Sequence, residues 1–145
     1  MKPVLQALVL AEHVYTDKSG KKIIAGTFNS YSFKRGSLVE EKDVGDGAPV
    51  QVIKGGMQVG SPYAYISLTD VCNNTELLLQ FVNLSKNQVL LQSKINVVCH
   101  DRLQTIEIIA PLPQLPCREP GTYAFEVVCE DEVIGSHRVI SRELP

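Results

Sequence analysis

The sequence has no Cys-x-x-Cys pair, no Gly-Lys-Ser/Thr phosphate loop, no bank of basic residues and no apolar stretch of membrane-spanning length. Each absence removes a class of protein. The four cysteines, Cys72, Cys99, Cys117 and Cys129, are 27, 18 and 12 positions apart, so zinc-ribbon and thioredoxin-like sites lack their paired ligands or thiols. An even count permits two disulfides in any of three pairings, whereas free, buried thiols are the expectation for an intracellular chain. Gly55-Gly56 and Gly60 are followed by no Lys-Ser/Thr and make no phosphate cradle. Lys and Arg number 14 against 16 Asp and Glu. The densest basic groups are the pairs Lys21-Lys22 and Lys34-Arg35, which are too few to track a nucleic-acid backbone. The longest apolar run, Val4 to Ala11, is interrupted by Gln6 and falls far short of the roughly 20 residues a transmembrane helix needs. With one Lys and an early Pro3 before it, this run is a weak secretion signal, and the expected location is cytoplasmic.

Long amphipathic helices and internal repeats are also missing, and what remains reads as strands. Apolar residues make up 44% of the chain, an ordinary globular share, and 145 residues suffice for one domain with a real core. The most informative stretch is Pro120 to Ile140. Pro120-Gly121 opens a turn, Tyr123, Phe125, Val127 and Cys129 alternate with Thr122, Ala124, Glu126 and Val128, and the acidic tip Glu130-Asp131-Glu132 leads into a second β-branched run. This is the pattern of a hairpin with one core-directed face. Earlier, Val4–Ala11 is apolar on both faces, as in a strand covered on both sides. The turn Asp17-Lys18-Ser19-Gly20 joins it to Lys22–Tyr31, with Gly26 a bulge candidate. Ser37–Val44 supports one helical turn, and the glycine-rich 45–60 stretch reads as a long loop around a short Val50–Ile53 strand. Further strands are expected over Pro62–Asp70, Leu77–Leu84, Gln88–Val97 (with Val89, Leu91, Ile95 and Val97 inward) and Leu103–Ala110. The prolines at 111, 113, 116 and 120 fill an irregular connection. Eight or nine short strands without helical crossovers predict an all-β fold, a single antiparallel β-sandwich spanning residues 1–145.

Two resemblances narrow this. Gly121-Thr-Tyr123-Ala-Phe125 resembles the tyrosine corner of immunoglobulin-like sandwiches, in which the tyrosine ring packs at the end of the core and its hydroxyl ties back to nearby backbone. The position two past Tyr123 is Phe125, where antibody domains have Cys, and the chain has no Trp. The resemblance therefore implies an immunoglobulin-like architecture without an antibody-type core. The chain as a whole resembles an uncharacterised family of small bacterial sandwich proteins, through Ala7-Leu-Val-Leu10, Asp17-Lys-Ser-Gly20-Lys21, Ile24-Ala-Gly26-Thr-Phe28 and Pro120-Gly-Thr-Tyr-Ala-Phe125. That similarity implies a fold and carries no activity.

Candidate chemistry is sparse. Cys99-His100-Asp101 collects reactive residue types, but neighbours on a strand point to opposite faces, so a strand-ending cysteine followed by a polar turn is the better account. His13 and His137 are the only other histidines. Asp43 and Asp46, interleaved with Gly45 and Gly47, miss the alternation of a calcium loop, and Lys54 holds the position its closing Glu would need. No catalytic residues, metal ligands or cofactor are assigned. Tyr63 and Tyr65 stand opposite Ala64, Ile66 and Leu68 and are the interaction candidates, because tyrosine buries area while keeping a polar tip. The expectation is a non-enzymatic binding or structural module engaged with a protein partner or with itself. The alternative is a ligand- or metal-binding, even catalytic, sandwich using the glycine-rich 43–60 loop.

Overall fold

In a computed structural model the described residues are 2–33, 39–44, 48–53 and 61–145, the two short central segments as backbone only. Among them the chain forms eleven strands and no helix: β1 (Val4–Thr16), β2 (Lys22–Thr27), β3 (Ser30–Phe33), β4 (Val39–Val44), β5 (Ala48–Ile53), β6 (Tyr63–Thr69), β7 (Asn73–Asn83), β8 (Gln88–Cys99), β9 (Ile106–Pro111), β10 (Gly121–Cys129) and β11 (Glu132–Glu143). No helix among these residues is long and apolar enough to cross a membrane. One sheet has four strands in the order β2-β1-β6-β9. A second, curled like half a barrel, has five in the order β3-β11-β10-β7-β8, and β4 and β5 pair only with each other.

The local reasons for these elements lie largely in turn chemistry and alternation. Asp17 builds the β1–β2 turn with its own side chain, Oδ1 accepting from the backbone N–H of Ser19 at 2.9 Å and of Lys21 at 2.8 Å. These bonds, with the Ser19 hydroxyl foremost, hold its carboxyl below the usual range. Gly20 supplies the left-handed residue the turn requires. At the β10–β11 tip Glu130 and Asp131 both have positive φ, 51° and 63°. That is the two-residue mirror-image turn whose twist suits a hairpin, and it places Glu132 inside β11 opposite Cys129.

The core lies between the two sheets. Leu10, Ala64, Ile66 and Leu68 enter it from one side, and Leu77, Leu79, Phe81, Tyr123, Phe125, Val127 and Val139 from the other. Phe81 and Tyr123 stack nearly parallel, with centroids 5.6 Å apart and planes at 6°. The Tyr123 hydroxyl donates to the Glu119 carbonyl at 2.9 Å, so a ring only 1% exposed keeps its polar atom satisfied. Leu5 of β1 packs directly on β11 at Gly135. A Cβ added at Gly135 would stand 1.8 Å from Leu5 Cδ2, so only glycine leaves room for the leucine as placed.

Several expectations change. The strand count is eleven rather than eight or nine. The pairing is not wholly antiparallel, because β3 runs parallel to β11. Val39–Val44 is extended, where one helical turn was expected, since its pairing with β5 supplies hydrogen bonds that an isolated turn lacks. Lys22–Tyr31 is broken at Phe28-Asn29, its second part crossing to the other sheet as β3. Gly26 is no bulge: Ala11↔Thr27 and His13↔Ala25 keep one register across it, and the residue instead takes φ +76°. The true irregularity in β8 is the register shift between Phe81↔Leu91 and Val82↔Val89. One extra residue there reverses the side-chain alternation, so Val89, expected inward, is 49% exposed. Leu103 precedes β9 in a turn and is exposed.

Candidate functional site

Residues paired directly across an antiparallel ladder share a face. The ladders of the four-stranded sheet therefore sort its residues without ambiguity. On β1 and β6, Val9 pairs with Tyr65 and Ala11 with Tyr63. On β1 and β2, His13 pairs with Ala25 and Tyr15 with Ile23. On β6 and β9, Tyr65 pairs with Ile109 and Tyr63 with Pro111. The inter-sheet core is built from the intervening Leu8, Leu10, Ala64, Ile66, Ile108 and Ala110. The paired residues therefore lie on the other side of the sheet, where Ala11 is nevertheless fully buried beneath its neighbours. The outer face is thus itself apolar and aromatic. It runs from Ile23 and Tyr15, both about half exposed, past Val9, Tyr63 and Tyr65 to Ile109 and Pro111.

Tyr63 and Tyr65 are where the sequence places them: on the outer face, half-buried, opposite Ala64, Ile66 and Leu68. Two neighbours organise them. The Tyr65 hydroxyl donates to the Glu107 carboxylate from the edge strand. Partial burial, with Glu107's bond and charge behind it, pushes the Tyr65 phenol above its ordinary value. Ser67 donates to Gln6 Oε1 at 2.9 Å, which closes that end of the face with a satisfied polar pair. At the other end His13 stacks on Tyr15, centroids 5.7 Å apart. Glu107, the carboxylate on the β9 margin of the face, is thus tied to a tyrosine, and His13 and Thr27 separate the Tyr15–Ile23 end from the apolar cluster of Val9, Tyr63, Tyr65 and Ile109.

The alternation of Tyr63 and Tyr65 was legible, but the extent of the face was not. Val4–Ala11 reads as covered on both sides because Ala7, Val9 and Ala11 repeat the apolar character of Leu8 and Leu10. The ladders show that only one of those sides meets the opposite sheet. The odd-numbered residues of β1 carried the signal, and cross-strand register was needed to join them to Tyr63, Tyr65 and Ile109.

The other candidates are structural. The Cys99 thiol contacts the Asp101 carbonyl at 3.1 Å and Gln104 Oε1 at 3.8 Å, while Asp101 Oδ1 accepts from the Leu103 N–H at 3.0 Å. This is a strand end and a side-chain-capped turn, with His100 exposed. His137 bonds the Phe28 carbonyl through Nε2 at 2.8 Å and pins β11 to the chain between β2 and β3. All four cysteines are free thiols; Cys99, Cys117 and Cys129 are buried and Cys72 half-buried. Burial pushes the Cys117 thiol up to about 12 and raises that of Cys129, with the Glu130 charge adding to the effect. Neither is a ready nucleophile at neutral pH. Among the described residues no three His, Cys, Asp or Glu side chains converge as metal ligands do. The glycine-rich 43–60 loop lies outside the described residues apart from the backbone of 43–44 and 48–53.

Hollows also mark the surface of the described residues. One, of about 510 Å³, mixes Cys72, Asn74, Glu76, Lys94, Cys129 and Asp131 at one end of the five-stranded sheet. Another, of about 420 Å³, is apolar and opens between β8 and β9. No protein-family model matches the sequence, and no curated protein is significantly similar to it.

Proposed function

We propose that the chain is a non-enzymatic binding module of immunoglobulin-like topology that engages a protein partner, another copy of itself included, through the outer face of its four-stranded sheet. One observation carries this reading. Val9, Tyr63, Tyr65 and Ile109 form a half-buried apolar and aromatic cluster on a face turned away from the core, and the exposed Tyr15 and Ile23 extend the same face beyond His13 and Thr27. Contiguous exposed apolar patches mark interaction surfaces, and tyrosine is enriched at their energetic centres. The order β11-β10-β7-β8 supports the topology, since it parallels the G-F-C-C′ order of such sandwiches, as β1-β6-β9 parallels A-B-E. The Tyr123–Glu119 tie at the start of β10 supports it too, since a tyrosine hydroxyl bonded to backbone a few residues upstream is a feature of such sandwiches. The resemblance to small bacterial sandwich proteins is in keeping with this architecture.

Sedimentation velocity from micromolar to hundred-micromolar concentration, followed by partner capture on the immobilised chain, tests the proposal. Association is expected to weaken at least tenfold, about 1.4 kcal/mol, in Tyr65→Ser and in Tyr63→Ser, with circular dichroism unchanged. A wild-type chain that stays monomeric and captures no partner removes the reading, as does association indifferent to both tyrosines.

A further inference from the structure

The four-stranded sheet ends at β9 and the five-stranded sheet at β8, and among the described residues neither strand has a neighbour on its outer side. The apolar hollow of about 420 Å³ lies between these two open edges. Leu91 and Ile95 of β8 enter it from one sheet and Ile108 and Ala110 of β9 from the other, over a floor that includes Phe81 and Phe125. Burial across the hairpin shows how incomplete the cover is. Leu77, Leu79 and Phe81 on β7 are at most 5% exposed, whereas Leu91 and Ile95 on the adjacent β8 remain half-buried. The inner face of β8 carries Leu91, Ile95 and the buried Val97, with the exposed Ser93 between Leu91 and Ile95, and among the described residues the sheet opposite has no strand beyond β9 to cover it. No charged side chain lines the hollow.

We infer that this cleft takes an extended segment of a partner polypeptide, which adds beside β9 as a further strand and lowers alternate apolar side chains onto Leu91 and Ile95. The edge supplies main-chain hydrogen bonds and the hollow supplies side-chain pockets, the two components of strand-addition recognition. The uncharged lining selects segments whose inward residues are neutral and apolar, because burying an unpaired charge there is costly. Pro111 has no N–H to donate, so pairing is confined to Ile106–Ala110, and the recognised segment contributes about five paired residues. A saturated alkyl chain also fits an apolar hollow of this size, but it makes no use of the open edge. The site lies at the sheet margin and shares Ile109 and Pro111 with the border of the tyrosine face, but it does not use Tyr63 or Tyr65.

Selection of a phage-displayed random decapeptide library on the full chain, with counter-selection on Leu91→Lys, tests the inference. The peptides recovered are expected to carry apolar residues at every second position and to bind Leu91→Lys at least tenfold more weakly. They are also expected to lose at least tenfold when alternate backbone amides are N-methylated, a change on the peptide that leaves the protein's folding untouched. Bound peptide is expected to slow hydrogen exchange of amides within 106–110. Four results each overturn the inference: no cleft-dependent binder; binders spaced three and four apart; N-methylated peptides binding equally well; or slowed exchange of 106–110 with rising protein concentration alone, which assigns the cleft to a second copy. Saturable binding of dodecanol with no peptide binder likewise assigns it to an alkyl ligand instead.

Discussion

Tyr123 combines two roles in one side chain. Its ring is packed against Phe81 and its hydroxyl is bonded to a carbonyl four residues back. Removing the hydroxyl in Tyr123→Phe leaves the stacking intact but strips the Glu119 carbonyl of its partner, so the expected cost is about 1 kcal/mol. Phe125→Ala empties a core position and is expected to cost about 3–5 kcal/mol. Urea denaturation with an unchanged m-value checks both. Gly135 acts through what it lacks: with Leu5 Cδ2 only 1.8 Å from a would-be Cβ, Gly135→Ala forces the end of the Leu5 side chain to move aside and is expected to cost about 1 kcal/mol. Of these three positions, the sequence pattern pointed to Tyr123 and Phe125 through turn and alternation. Gly135 carried no such signal, because its neighbour is 130 positions away.

The β10–β11 hairpin shows how far local rules reach. Its existence, its face and its tip follow from alternation interrupted by acidic residues. The tip is nevertheless suboptimal, since Glu130 and Asp131 occupy left-handed conformations that glycine and asparagine adopt at less cost. The double substitution Glu130→Asn with Asp131→Gly is expected to stabilise the protein by about 1 kcal/mol, measured as a higher urea midpoint. If stability falls instead, some contact of these side chains outweighs the backbone gain. The β8 register shift is the converse case. The alternation of Gln88–Val97 is clean enough to suggest an uninterrupted strand, yet the extra residue opposite Phe81 and Val82 turns Val89 outward. Nothing in the local sequence announces a bulge whose cause lies in the pairing with β7.

For the molecule as a whole, alkaline pH is the sensitive direction. Burial raises the Cys117 thiol from 9.0 to about 12, and burial likewise raises the Tyr31 and Tyr123 phenols, with the Cys117 charge a secondary cause. Each of these groups favours its neutral, protonated form in the folded state. For Cys117 the associated stability is complete below pH 9.0 and is lost as pH climbs toward 12, at about 1.4 kcal/mol per pH unit and group. Thermal unfolding midpoints are therefore expected to fall steeply above pH 9, and Cys117→Ala to fall less steeply. Thiol labelling of the native chain at pH 8 is expected to modify Cys72 first, because the other three cysteines are buried. Equal labelling of all four would show that this core opens readily.

Alternation, turn residues and the run of prolines were enough to establish an all-β chain, its closing hairpin, the core face of Tyr123 and Phe125 and the outward placement of Tyr63 and Tyr65. These are properties of residues within a few positions of each other, governed by backbone sterics and strand periodicity. The parallel docking of β3 on β11, the outer-face strip joining Tyr65 to Val9 and Ile109, and the uncovered cleft between β8 and β9 had no local cause. They depend on which strands become neighbours and where each sheet stops. That outcome is set by long-range packing of whole faces against one another, which no short window of sequence encodes.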